Sequence, residues 1–206
     1  MHYHCIWVIL ISVSFSNGVT IIDSDPPKPW QRALMARYVI HVSDWIALST
    51  ISTLNSVKTY PFVNLKSMSD GPLSQSTGIP YIYMTSLDIS GKDLIFDNRC
   101  TVCASLAESD YCRKEDIDPQ DPRCARVFLS GRFVKVNNSS DEYAFAENAL
   151  FSRHPKMKQW PKRHQFYIGK LEIELVMILD DFGGVKLINL EDYFNANMTL
   201  LNDLDL

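Results

Sequence analysis

The sequence predicts an α+β fold built on an antiparallel sheet or barrel with flanking helices. Three observations carry that reading. Stretches rich in β-branched and aromatic residues outnumber helical stripes, giving six or seven strands against a few separate helices. The clearest run, 170–175, alternates strictly: Leu171, Ile173 and Leu175 take one face, while Lys170, Glu172 and Glu174 take the other, as a half-buried strand requires. The glycines of "DDFGG" (180–184) then supply a reversal of direction. A chain of 206 residues with 46% apolar content suits one domain, which at this size buries roughly 70% of its unfolded-chain surface.

The elements follow in order. Residues 1–18 contain no Asp, Glu, Lys or Arg, and the apolar run 5–15 has the length of a signal-peptide core and is too short to span a bilayer. Cleavage is expected after Gly18, with Ser16 the alternative, and the mature chain is expected to be soluble and secretory. Residues 19–29 are polar and proline-rich and read as a linker into a domain over 30–195, followed by a polar tail, 196–206. Pro29 suits the first turn of a helix whose stripe is Trp30, Leu34, Tyr38 and Val42. Strands are expected over 45–53, 62–70, 80–86, 100–107 and 126–136, with a short helix near 88–97. Ser139 and Glu142 have the spacing of a capping box, opening a helix that packs through Phe145, Ala146, Ala149 and Leu150 and stops before Pro155. The alternating strand runs into "VMILD", a continuously apolar end that reads as covered on both faces, and "VKLI" leads into a helical turn capped by Asn189.

Charge and motifs narrow the chemistry. There are 20 basic and 24 acidic residues, and no block of five or more cations, which disfavours nucleic acid and an electrostatic membrane role. Neither a P-loop, a G-x-G-x-x-G, a G-x-S-x-G elbow nor a His-Glu-x-x-His pair occurs. His154 and His164 stand alone and read as structural, and Asp180 and Asp181 as turn formers. Cys5 leaves with the leader. Cys100 and Cys103 fall three apart in an expected strand, on opposite faces, which disfavours a shared zinc ion and a mutual disulfide and leaves them as buried thiols. Cys112 and Cys124 bracket a charged loop, and a hairpin-like return from the end of one strand to the start of the next would bring them within disulfide reach. In a secretory chain Asn137, Asn138 and Asn197 head glycosylation triplets, with one of the first two expected to dominate.

"SMSDGP" (67–72), "GIPYIYMTSLDIS" (78–90), "CRKEDIDPQDPRC" (112–124), "FSRHPKMKQWP" (151–161) and "LDDFGGVKLINLEDYFN" (179–195) closely resemble the CREG glycoprotein family, in order and over nearly all of the mature chain. The resemblance implies a split β-barrel of the pyridoxamine-phosphate-oxidase type, an antiparallel Greek-key barrel assembled as a homodimer. It also implies a non-enzymatic branch without bound flavin: secreted or endolysosomal glycoproteins linked to restraint of growth and promotion of differentiation. Vertebrate members are associated with the mannose-6-phosphate/insulin-like growth factor II receptor. Flavin-binding barrels of this type grip the FMN phosphate with an Arg-Lys pair where this chain has Gly91-Lys92 after Ser90, and with a strand arginine where it has Phe62, four residues before Lys66. The alternative reading, an FMN-dependent oxidoreductase, therefore assigns Lys66, Ser90 and Lys92 to the phosphate.

Overall fold

The structure, a computed structural model, describes residues 25–198. The expected leader (1–18), the start of the linker and the end of the tail lie outside these residues, while Pro26 and Pro27 of the linker are buried against the domain. In chain order the elements are α1 (Arg32–Val42), β1 (Trp45–Ile51), β2 (Pro61–Ser69), β3 (Tyr81–Met84), α2 (Ile89–Phe96), β4 (Arg99–Ser105), α3 (Tyr111–Lys114), β5 (Arg126–Lys135), α4 (Asp141–Arg153), β6 (Tyr167–Leu179), β7 (Lys186–Ile188) and α5 (Leu190–Asn195).

The strands run β3-β2-β1-β4-β5-β6-β7, every pair antiparallel, and β3 also pairs with β6. β1 to β6 thus close a barrel. Two meanders, β1-β2-β3 and β4-β5-β6, are joined through α2, and the long β6 divides one edge between β3 (through Tyr167–Lys170) and β7 (through Val176–Ile178). Inside lie Ile46, Leu48, Val102, Leu129, Val176 and Ile178, all at 0% exposure, each contributing about 1.5–3 kcal/mol by leaving water. α4 covers the β3–β6 seam through Ala146, Ala149 and Leu150, as its pattern predicted.

Four local expectations change. The α1 stripe begins at Leu34, not Trp30: the helix opens at Arg32, and Trp30 stands 75% exposed in the preceding turn. α4 is capped by Ser140 rather than Ser139, Ser140 Oγ accepting from the Tyr143 N–H at 3.2 Å. Glu142 does not complete a capping box there; its carboxylate reaches Lys170 Nζ at 2.7 Å and the Tyr81 hydroxyl at 3.1 Å, because both project from the sheet beneath α4. Cys112 lies in the helical turn α3, not at a strand end.

The fourth concerns β6. Ser130 pairs with Leu175 but Gly131 with Ile173, leaving Glu174 as the extra residue of a bulge. The alternation therefore changes phase. Leu171 is buried before the bulge, Val176 and Ile178 after it, and Leu175 is left 38% exposed on the outer face. Met177 and Leu179 are only half-buried, so the apolar end is covered on one face. Gly131 is the bulge's partner, and a Cβ there would collide with the Glu172 carbonyl oxygen.

Candidate functional site

Helix α2 begins where the flavin reading placed a phosphate. Its N-cap is Asp88, whose carboxylate accepts from the Ser90 N–H at 2.8 Å. Lys66, on the inner side of β2, donates from Nζ to Asp88 Oδ2 at 2.5 Å, and Asn64 Nδ2 donates to Ser90 Oγ at 3.2 Å. Lys66 and Ser90 are thus brought together, whereas Lys92 is exposed one turn along, its side chain without a polar partner among the described residues. A phosphate dianion fits this set poorly. The lysine and the helix-end N–H already serve a carboxylate, whose charge would oppose any second anion. Asp88 went unread in the sequence, although Asp-x-Ser at a helix start is a capping signal.

A buried polar network fixes the loop between β2 and β3. Asp70, at 0% exposure, joins its parts. Oδ1 meets His41 Nδ1 at 2.6 Å; Oδ2 accepts from Ser76 Oγ at 2.6 Å and from the Gly78 N–H at 2.9 Å. Arg37 donates to Ser76 O at 2.8 Å and to the Tyr193 and Phe194 carbonyls of α5, while the Tyr193 hydroxyl donates to Gly78 O at 2.7 Å. His41 Nε2 faces the Leu73 carbonyl, not an open cleft. The Ser-Asp-His set is therefore a clasp between α1, the loop and α5, with no group poised to attack a substrate. His154 likewise binds Met68 O at 2.9 Å, in the structural role its isolation suggested.

Cys112 and Cys124 form the expected disulfide, Cα to Cα 5.6 Å. Cys100 and Cys103 do point to opposite faces, Cys100 into the core and Cys103, half-buried, outward. Burial pushes the Cys100 thiol up to about 12, and burial with the nearby Glu108 charge also raises that of Cys103, so neither is activated as a thiolate.

Glu108 caps the turn after β4, its Oε1 accepting from the Ser105 N–H at 3.1 Å, while Oε2 is buried without a hydrogen-bond partner. Burial pushes its carboxyl up to about 8, against the Ser105 N–H and the nearby Ser43 hydroxyl, which oppose the rise, with the Asp44 charge adding to it. A carboxyl raised in the fold favours the acidic side: its stabilisation is complete below the ordinary value of 4.5 and is lost as pH climbs towards 8. Thermal midpoints taken between these limits should therefore rise on acidification, and Glu108→Gln should flatten that slope; equal slopes in the two proteins would refute the assignment.

Asn137 and Asn138 are exposed in the turn between β5 and α4, the Asn137 side chain accepting from the Ser139 N–H at 3.0 Å. Asn197 is exposed just after α5; Thr199, which completes its triplet, lies outside the described residues. On the barrel's outer face the register lines up Leu65, Ala47, Cys103, Phe128, Met177 and Leu187 in one row across β2, β1, β4, β5, β6 and β7. Among the described residues no helix is long and apolar enough to cross a membrane, and no group of three or more His, Cys, Asp or Glu could hold a metal.

Comparison with known proteins agrees with this architecture. A heme-binding protein from Mycobacterium smegmatis has a similar fold, with a TM-score of 0.62, 17% identity, and coverage of 81% of this chain and 60% of its own. A Clostridium acetobutylicum protein of the pyridoxinephosphate oxidase family, related to general stress protein 26, superposes with a TM-score of 0.53 at 8% identity, over 80% of this chain and 99% of its own. At such identities the likeness shows the split-barrel fold alone. Protein CREG1 of Mus musculus is 43% identical over 175 residues, 84% of this chain and 79% of its own length. The CREG β-barrel family description matches residues 27–195, and with that span and that identity the chain belongs to the CREG family.

Proposed function

We propose that this chain is a non-enzymatic glycoprotein of the secretory or endolysosomal lumen, acting by contact with a receptor or partner in growth control and differentiation. The observation that carries this reading is Asp88. It takes up the lysine and helix-end donors that a flavin phosphate would need, so the barrel serves as a scaffold rather than a cofactor cradle. Asn137 or Asn138, together with Asn197, would carry the sugars. A receptor of the mannose-6-phosphate/insulin-like growth factor II type is the partner that family membership favours. The apolar row from Leu65 to Leu187 supports a homodimer: both its ends are open, Leu65 at 61% and Leu187 at 71% exposure, and a second copy would cover it.

Titrating the purified chain with FMN and following the flavin absorbance and fluorescence tests the central point. The natural protein should show no saturable binding at micromolar FMN, and Asp88→Asn, which releases Lys66, should bind more tightly than the natural protein. Stoichiometric flavin in the protein as purified would overturn the reading.

A further inference from the structure

We propose that the aromatic groove framed by Tyr83, Trp160 and Phe166 binds an anionic saccharide. The platform is assembled before any ligand arrives. Tyr83, rooted in β3, stacks on Phe166 with centroids 4.8 Å apart and is met edge-on by Phe151 at 5.5 Å. Trp160 leans on both members of the stack, at 6.0 Å from Tyr83 and 5.1 Å from Phe166. Its loop is fixed from below by Met157, 4% exposed, whose carbonyl accepts from the Trp160 N–H at 3.1 Å. Trp160 is nonetheless 40% exposed. A large apolar ring held this firmly yet left open provides a binding surface whose ordering cost is already met.

The rim states the chemistry. The groove is an open cleft of about 400 Å³, within the range of small-molecule sites, and Glu147, Lys158, Lys162 and Gln165 line it. These side chains offer a pure acceptor, two pure donors and an amide that does both. Saccharide hydroxyls donate and accept, so they can use the whole set while the C–H face of one sugar ring lies on Trp160. The charge requires an anionic sugar: Lys156, Lys158, Lys162 and Arg163 are all exposed, and none pairs with a carboxylate among the described residues. This lies in a chain whose formal charge is -4. Lys158 is held over the Phe151 ring at 5.7 Å, which keeps its ammonium at the lip. A nucleic acid suits the groove less well. The Tyr83–Phe166 stack is closed, leaving no slot between its rings to sandwich a base.

Calorimetric titration of the full mature chain tests it, using a heparin-derived hexasaccharide, glucose 6-phosphate, maltohexaose and a single-stranded oligouridylate. Saturable binding of the sulfated or the phosphorylated sugar, stronger than that of neutral maltohexaose, is expected, and the preferred arm identifies the anion. Trp160→Ala and Lys158→Gln/Lys162→Gln should each weaken it by about tenfold or more, while Trp160→Phe retains it and shows that the fold is intact. Absence of binding in both anionic arms would overturn the proposal. Unchanged affinity in Trp160→Ala would also do so, since it would mean bulk charge attraction, as would tighter binding of the oligouridylate than of either sugar.

Discussion

Asp70→Ala should lower the unfolding free energy by about 3–5 kcal/mol, the cost of removing one member of a buried charged network. The carboxylate is fully buried and serves His41, Ser76 and the Gly78 N–H. Its loss strands an imidazole nitrogen and a backbone donor in the buried interior, and removes the acceptor of the partly buried Ser76 hydroxyl. The damage should reach α5, because Arg37 and Tyr193 tie that helix to the same loop. Urea unfolding with an unchanged slope would measure the loss, and faster amide exchange over 190–195 would locate it. Asp70→Asn keeps one acceptor and should cost less. A loss below about 1 kcal/mol for the alanine variant would mean that the network contributes little more than surface polar pairs do.

Opening the disulfide should have the second largest effect. Cys112 and Cys124 stand 12 residues apart, and closing a loop of that size is worth about 3 kcal/mol in the chain-entropy account. Both sulfurs are buried at the edge of the barrel core, while the intervening loop is mostly exposed and charged. The loop therefore has few apolar contacts of its own to replace the bond. Cys112→Ala/Cys124→Ala should melt well below the natural protein, and reductant should bring the natural protein to the same midpoint. Coincident midpoints with and without reductant would show that packing alone holds the loop.

Much of this fold was legible because strand and helix signals agree with their surroundings. The runs at 45–53, 62–70 and 126–136 lie on β1, β2 and β5, and the small alanines of α4 meet the seam as their spacing required. What escaped was whatever depends on a neighbour distant in sequence. Glu142 has a capping residue's spacing, yet Lys170 and Tyr81 claim it from another layer. Leu175 continues a perfect alternation, yet the bulge opposite Gly131 turns it outward. Arg37 and His41 look like interruptions of an apolar helix, and only the loop at 70–78 and the carbonyls of α5 explain them. Of the residues the flavin reading grouped, Lys66 and Ser90 meet at Asp88 while Lys92 stands apart, and Asp88, an ordinary cap in sequence, sets the chemistry of the other two.

The supernumerary Glu174 divides the longest strand into two stretches whose inside and outside residues alternate out of phase, both still laddered to β5. One stretch pairs with β3 and the other with β7, so each presents its own outer face. A descendant of this chain could rebuild the surface around its final hairpin, and acquire a new partner there, without reopening the barrel's closure.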